Sequence, residues 1–306
     1  MKSKQKWNAS LVPDQTGRIA VVTGSSSGIG FETARVLTEK NAKVILAVRN
    51  QKKGDAAAEK IKSARPDADV SVMILDLANL KSVEAFSDAF KTKYNRLDLL
   101  INNAGVMMPP YSKTADGFEL QFGTNHLGHF TLTGLLLDLI LKTDESRIVN
   151  VSSNAHRWGD INFDDLNFEK KYDKAKAYGQ SKIANLYFTY ELQRKLDKIG
   201  KSTLALAAHP GWTATNLQQH SGLFHTLNPF FAQGPDMGAL PTLYAATASD
   251  VEGGGYYGPG GIGEWRGSPK KVKSNAVSHD ETIAGRLWKL SEEWTKVEFN
   301  ALASVK

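Results

Sequence analysis

The sequence predicts a doubly wound α/β fold, a single domain with one parallel sheet of about seven strands and helices on both faces. Three observations lead there. Short apolar runs recur along the 306 residues and are nearly continuous rather than alternating, as strands covered on both faces must be. Longer mixed segments separate them, and strand–helix alternation implies parallel strands joined by right-handed crossovers. Finally, a chain that is 41% apolar and 23% charged can bury a core of this size.

The elements follow in order. Strands are expected over residues 19–22, 44–48, 72–75, 97–101, 148–151 and 204–208, with helices over 31–40, 51–64, 80–94, 117–141 and 176–198. Six such strands fit the spatial order 3-2-1-4-5-6, and a seventh is expected near 255–258. Residues 1–15 read as an N-terminal arm. Residues 212–234 lack a period but carry Trp212, Leu217, Leu223, Phe224, Leu227, Phe230 and Phe231, as a substrate lid would. Residues 264–306 read as a C-terminal extension, with a loop rich in Gly and Pro leading to a helix over 280–294. Neither an internal repeat nor a low-complexity linker divides the chain, so 1–306 is expected to be one domain.

Composition removes several functions. With no cysteine there can be no disulfide, thiolate metal site or cysteine nucleophile. The net charge of +6 collects in Lys2, Lys4 and Lys6 and in Lys270, Lys271 and Lys273, which read as solvated ends and loops. No basic stripe is interleaved with aromatics, so no nucleic-acid partner is expected. The most apolar stretch, residues 132–141, is too short for a bilayer and contains Asp138, and no signal-peptide pattern opens the chain. The chain is therefore read as cytoplasmic, with no integral membrane segment. Whether it is a homo-oligomer is left open.

The first strand runs into Thr23-Gly24-Ser25-Ser26-Ser27-Gly28-Ile29-Gly30, and a helix follows. Gly24 permits a tight strand exit, Gly28 a close approach of backbone to a pyrophosphate, and Gly30 close packing of helix on sheet. Free N–H groups and the positive helix end then face the anion. Strand, turn and helix in that order point to a dinucleotide. After strand two the chain reads Ala47-Val48-Arg49-Asn50, with no acid at that edge. A guanidinium there can bond a 2′-phosphate that a carboxylate would repel, so NADP is favoured over NAD. Asp76, with Leu77 beside it at the end of strand three, can meet an adenine amino group or cap the next helix.

Tyr178 and Lys182 are four residues apart in a helical stretch, which puts phenol and ammonium on one face. Unit charges about 4 Å apart interact by about 4 kcal/mol at an effective dielectric near 20, roughly three orders of magnitude in acidity. The expectation is a phenol brought toward neutrality, able to act as general acid or base. By itself such a pair is a weak signal. However, Asn102-Asn103-Ala104-Gly105, Thr124-Asn125-His126-Leu127-Gly128 and Asn150-Val151-Ser152-Ser153 also fall at the carboxyl ends of strands, where open parallel sheets bind ligands.

Together the Gly24, Gly28 and Gly30 turn, Asn102 to Gly105, Ser153 and the Tyr178–Lys182 pair resemble the short-chain dehydrogenase/reductase family, in its one-domain Rossmann branch. The resemblance covers about residues 16–260. Ala47 to Asn50 and the His209-Pro210-Gly211 turn resemble its retinol-dehydrogenase-like members in particular. The resemblance implies an NADP(H)-dependent oxidoreductase acting on CH–OH or C=O groups of a small molecule, and the apolar residues of 212–234 with Trp158 point to an apolar one. It also implies that Tyr178 is the general acid/base and that Lys182 tunes it and holds the nicotinamide ribose. Ser153, rather than Ser152, would bond the substrate oxygen, and Asn125 would position a relay water. Ser26, Ser27, Ile29, Asn103, Ala104, Gly105, Pro210, Gly211, Thr213 and Thr215 would line the cofactor beside the glycines. The interval between Ser153 and Tyr178 is longer than most of the family shows, and its extra residues, with His156, Trp158, Phe163 and Phe168, are expected to wall the substrate pocket.

Other readings carry less. An epimerase or dehydratase acting on sugar nucleotides would space its glycines differently and carry a larger C-terminal domain. A non-enzymatic NADP-binding sensor or scaffold would usually lack one of Ser153, Tyr178 and Lys182. His126 and His129, three residues apart, could suit a metal, but no acidic pair accompanies them, so packing is expected and no metal is assigned.

Overall fold

The computed structural model describes residues 6–213 and 233–303. Thr215 and most of the expected lid therefore lie outside the described residues. The sheet has eight strands in the order β3-β2-β1-β4-β5-β6-β7-β8. They are β1 (Ile19–Thr23), β2 (Lys43–Val48), β3 (Val70–Ile74), β4 (Leu99–Asn102), β5 (Arg147–Val151), β6 (Leu204–Ala208), β7 (Tyr256–Pro259) and β8 (Pro269–Lys271). All neighbours are parallel except β7 and β8, which pair Tyr257 with Lys271 and Pro259 with Pro269.

The continuous apolar runs have their reason in two cores. Ala20 and Val22 of β1 and Leu99 and Ile101 of β4 face the core beneath the helices Gly28–Glu39 and Pro235–Thr247. Val21 and Leu100 face the opposite core, with the helices Leu80–Lys93, Gly128–Leu141 and Lys174–Lys198. Successive side chains point to opposite faces, so burial on both faces demands an apolar residue at every position. Each buried Val, Leu or Ile among them contributes about 1.5–3 kcal/mol by leaving water.

Two expectations change. The strand β8 lies in a segment read as loop. It carries Lys270 and Lys271 and is an antiparallel edge strand, where charged side chains can stay in water. The helix expected over 117–141 is also interrupted. A single turn, Leu120–Phe122, leads into a π-helical segment, Gly123–Leu127, and regular α-helix begins only at Gly128. Glu119 is fully buried and its carboxylate accepts the N–H groups of Gln121 and Phe122, which starts this helix. A π segment is a strained, short feature that often marks a functional position, and this one contains Asn125.

Candidate active site

The carboxyl ends of β1 to β6 open into one cleft of about 1820 Å³. This exceeds the roughly 300–1,000 Å³ of a site for one drug-sized molecule, so there is room for two ligands end to end.

One half is made largely of backbone. Gly24 and Gly28 have φ of 66° and 61°, in the left-handed region that glycine enters freely. A Cβ on Gly24 would lie 2.9 Å from Cα of Ala104, and one on Gly30 would lie 2.6 Å from the Gly24 carbonyl oxygen. The turn, strand four's exit and the first helix are thus packed to contact. Ser27 caps the helix Gly28–Glu39 without a side-chain hydrogen bond, and no acidic residue occupies its first turn. The caps of four other helices, Asn50, Asn79, Asp173 and Asp280, all accept backbone N–H groups. The open N–H groups at Ser27 and Gly28 fit an anionic pyrophosphate, as do the neighbouring Ser26 and Ile29 on the cleft wall.

Asn103, Ala104 and Gly105 line the floor. The Asn103 amide donates to the Thr23 carbonyl at 2.8 Å, which fastens the floor to β1. Asn102 points the other way and its Nδ2 donates to Oδ1 of Asn150 at 2.8 Å in the buried core. Arg49 is exposed on the rim, with Asp76 and the buried Leu77 across from it. Oδ1 of Asp76 accepts from the N–H of Ala78 at 3.0 Å, so it braces its own turn, while Asn79 caps the following helix. Pro210, Gly211 and Thr213 close the far side, where Thr213 donates to the Pro210 carbonyl.

In the other half, Tyr178, Lys182 and Ser153 meet on the cleft wall. The adjacent serines separate cleanly. Ser152 is buried and its hydroxyl donates to the Lys182 carbonyl at 2.8 Å, whereas the Ser153 hydroxyl accepts the N–H of Ala155 at 3.1 Å and lies near enough to the Tyr178 phenol to lower its pKa. The expected acidification of Tyr178 is not found. Burial pushes the phenol up to about 12, with the nearby Ser153 hydroxyl pulling the other way. Burial likewise pushes Lys182 down to about 8. The reason is geometric: the ammonium lies 5.6 Å from the centroid of the Tyr178 ring and donates to the Val151 carbonyl at 3.1 Å.

Asn125 does not line the cleft. It is fully buried behind the floor, where its side chain exchanges bonds of 2.8 and 3.0 Å with the backbone of Val106 and donates to Ser181 Oγ at 2.9 Å. The long interval after Ser153 divides. Asn154, Arg157 and Trp158 reach the cleft, but Phe163 lies beneath the guanidinium of Arg286 and Phe168 packs on Tyr172. His156 is buried, with Nδ1 on the Ser153 carbonyl at 2.6 Å and Nε2 accepting from the N–H of Asn275. It positions the wall rather than forming it.

Thr124, from the run expected at the strand ends, lines the cleft, whereas sequence reasoning missed Met107, Glu264 and Trp265, which also line it. They sit in loops and a short turn, without period or motif; only the glycines around Glu264 hinted at a turn able to approach Gly211. Among the described residues, no group of His, Asp or Glu is arranged to hold a metal ion, and no helix is long and apolar enough to cross a membrane.

The family profile for short chain dehydrogenases matches residues 18–224. Mouse retinol dehydrogenase 12 is 41% identical over 289 residues, covering 92% of this chain and 88% of its own. Human retinol dehydrogenase 11 is 43% identical over 280 residues, covering 90% and 85%. Among solved structures, a Mycobacterium paratuberculosis protein is 44% identical with a TM-score of 0.82 over 96% of this chain and 99% of that one. A Shigella flexneri short chain dehydrogenase complexed with NADP is 26% identical with a TM-score of 0.64, over 79% of this chain and 96% of that one. Similarity of this extent, on a cleft built in this order, places the chain in the short-chain dehydrogenase/reductase family, among its retinol-dehydrogenase-like members, as an oxidoreductase of alcohol and carbonyl groups.

Proposed function

We propose that the protein interconverts an apolar carbonyl compound and its alcohol with NADP(H), using Tyr178 as the general acid and base. The observation that carries this reading is the convergence of Tyr178, Ser153 and Lys182 on one cleft whose far half is the glycine turn. A bound nicotinamide would supply or accept the hydride. The chain's own residues do the rest.

The phenol stays protonated near neutrality, so Tyr178 is poised to donate its proton to a carbonyl oxygen. In the opposite direction it must take the alcohol proton, and a nearby positive charge would then assist it. Ser153 lies beside that phenol and would orient the same substrate oxygen. Lys182 keeps its ammonium below about pH 8 and would bond the ribose. Asn125 ties the helix of Tyr178 to the cleft floor and would hold the relay water. On the rim, Arg49 would bond the 2′-phosphate and Asp76 the adenine. NADP(H) is further supported by structural neighbours complexed with NADP and NADPH.

The substrate end is lined by Met107, Pro109, Leu120, Trp158 and Trp265, which favours an apolar molecule. The names of the relatives add retinal and retinol to the compounds worth testing. The test is NADPH oxidation with aldehydes and ketones, retinal included, by the wild type and Tyr178→Phe. The variant should lose about 10²–10⁴-fold in kcat while binding NADPH as before. Undiminished turnover would assign the proton to another group.

A further inference from the structure

The mechanism leaves several buried titratable groups without a task, among them His126, His209 and His129, and the last, at the start of the helix Gly128–Leu141, bonds to both halves of the site. Its Nδ1 lies 3.0 Å from the carbonyl oxygen of Asn125, and its Nε2 lies 2.9 Å from the hydroxyl of Thr23. A carbonyl oxygen can only accept, so Nδ1 carries the proton and Nε2 of the neutral ring accepts from Thr23. The Thr23 hydroxyl in turn accepts the N–H groups of Asn103 and Ala104, both at 2.9 Å. The hydroxyl's one proton has two acceptors, Nε2 at 2.9 Å and the Ile101 carbonyl at 3.3 Å, and both acceptor sites of that oxygen are used by the two N–H groups. Adding a second proton to the ring would place a third donor on Thr23.

On its other side the chain of bonds continues. Asn125 donates to Ser181 Oγ, and Ser181 donates to the Tyr178 carbonyl at 2.8 Å. A single imidazole therefore joins the floor of the cofactor half, through Thr23, to the helix of Tyr178 and Lys182, through Asn125. We propose that His129 is a positioning residue that holds these two halves of the active site in register, with its neutral ring serving each half through a different nitrogen. The proposal rests on the reading of the proton step given above. It also agrees with the electrostatics: burial, and then the charge of Lys182, hold this imidazole down to about 4, and His126, the other titratable group beside it, is itself held neutral by burial.

Three substitutions separate the two connections, because an asparagine amide can replace the Nδ1 donor and a glutamine oxygen the Nε2 acceptor. His129→Asn should weaken NADPH binding about tenfold, read by tryptophan fluorescence, and keep kcat within about threefold for a carbonyl that the wild type reduces. His129→Gln should do the reverse, keeping the NADPH dissociation constant within about threefold and lowering kcat about tenfold. His129→Phe should lose both. In ¹⁵N-labelled protein, one imidazole, absent from His129→Phe, should carry its proton on Nδ1 and show no titration from about pH 5.5 to 9. Binding and kcat falling together in all three variants, in step with their melting temperatures, would overturn the inference, as would an Nε2–H or charged ring. If the wild type reduces no carbonyl, the proposed reaction fails, while the imidazole spectrum and NADPH binding still decide the role of His129.

Discussion

The two halves of the cleft are built by different means. The turn from Gly24 to Gly30 and the strand exit from Asn103 to Gly105 present mainly backbone, packed so that added Cβ atoms at Gly24 and Gly30 would collide. The substrate end is made of side chains from segments far apart in the chain: Met107, Leu120, Trp158 and Trp265. Trp158 and Trp265 are 44% and 45% exposed, although every buried strand beneath them is tightly packed. The lesson is one of tolerance. A backbone cradle recognises what every dinucleotide shares and admits few changes, while side chains on loops can vary to suit the substrate without disturbing the sheet.

That contrast can be broken by experiment. Gly30→Val should be the most damaging change to the cofactor half, raising the NADPH dissociation constant about a hundredfold or more and costing about 1–3 kcal/mol of stability. Titration calorimetry and denaturant melts would check it, and near-normal binding would refute the close-packed cradle. Arg49→Ala should lower the preference for NADPH over NADH by about tenfold to a hundredfold or slightly more, since a charge-assisted bond is worth about 1.5–3 kcal/mol. The ratio of the two kcat/KM values is the measurement.

The pH profile sharpens the comparison from the catalytic side. Lys182 is held down to about 8, so it is charged below that pH and neutral above it. The kcat/KM for carbonyl reduction should accordingly be level below about pH 8 and fall about tenfold per pH unit above it. A level profile to pH 10 would show that the ammonium is not required. The smallest effect is expected at Trp158→Ala, which should raise KM for an apolar carbonyl about three- to tenfold and leave NADPH binding and the melting temperature unchanged.

Much of the site could be read from spacing because its parts are local. Gly24 to Gly30 and Tyr178 with Lys182 each lie within about two helical turns, so their geometry follows from the chain's own periodicity. The expected seven strands became eight because β8 is only Pro269–Lys271, too short to leave a pattern. The π segment was hidden for a different reason: its residues continue an apolar helical run, and only the fitting of Asn125 against Val106 and Ser181 distinguishes it.

By itself, the sequence determined the order of most strands and helices, the two-sided burial of the sheet and the place of the glycine turn between the first strand and helix. These depend on local backbone preference and on apolar side chains having to leave water. Only the tertiary structure decided that Ser153 faces Tyr178 while Ser152 turns to Lys182, that burial rather than the ammonium governs the free phenol, and that His129 bridges Thr23 and Asn125. Those outcomes depend on which groups meet across distant segments and how much water each loses, and neither is encoded in any short stretch of chain.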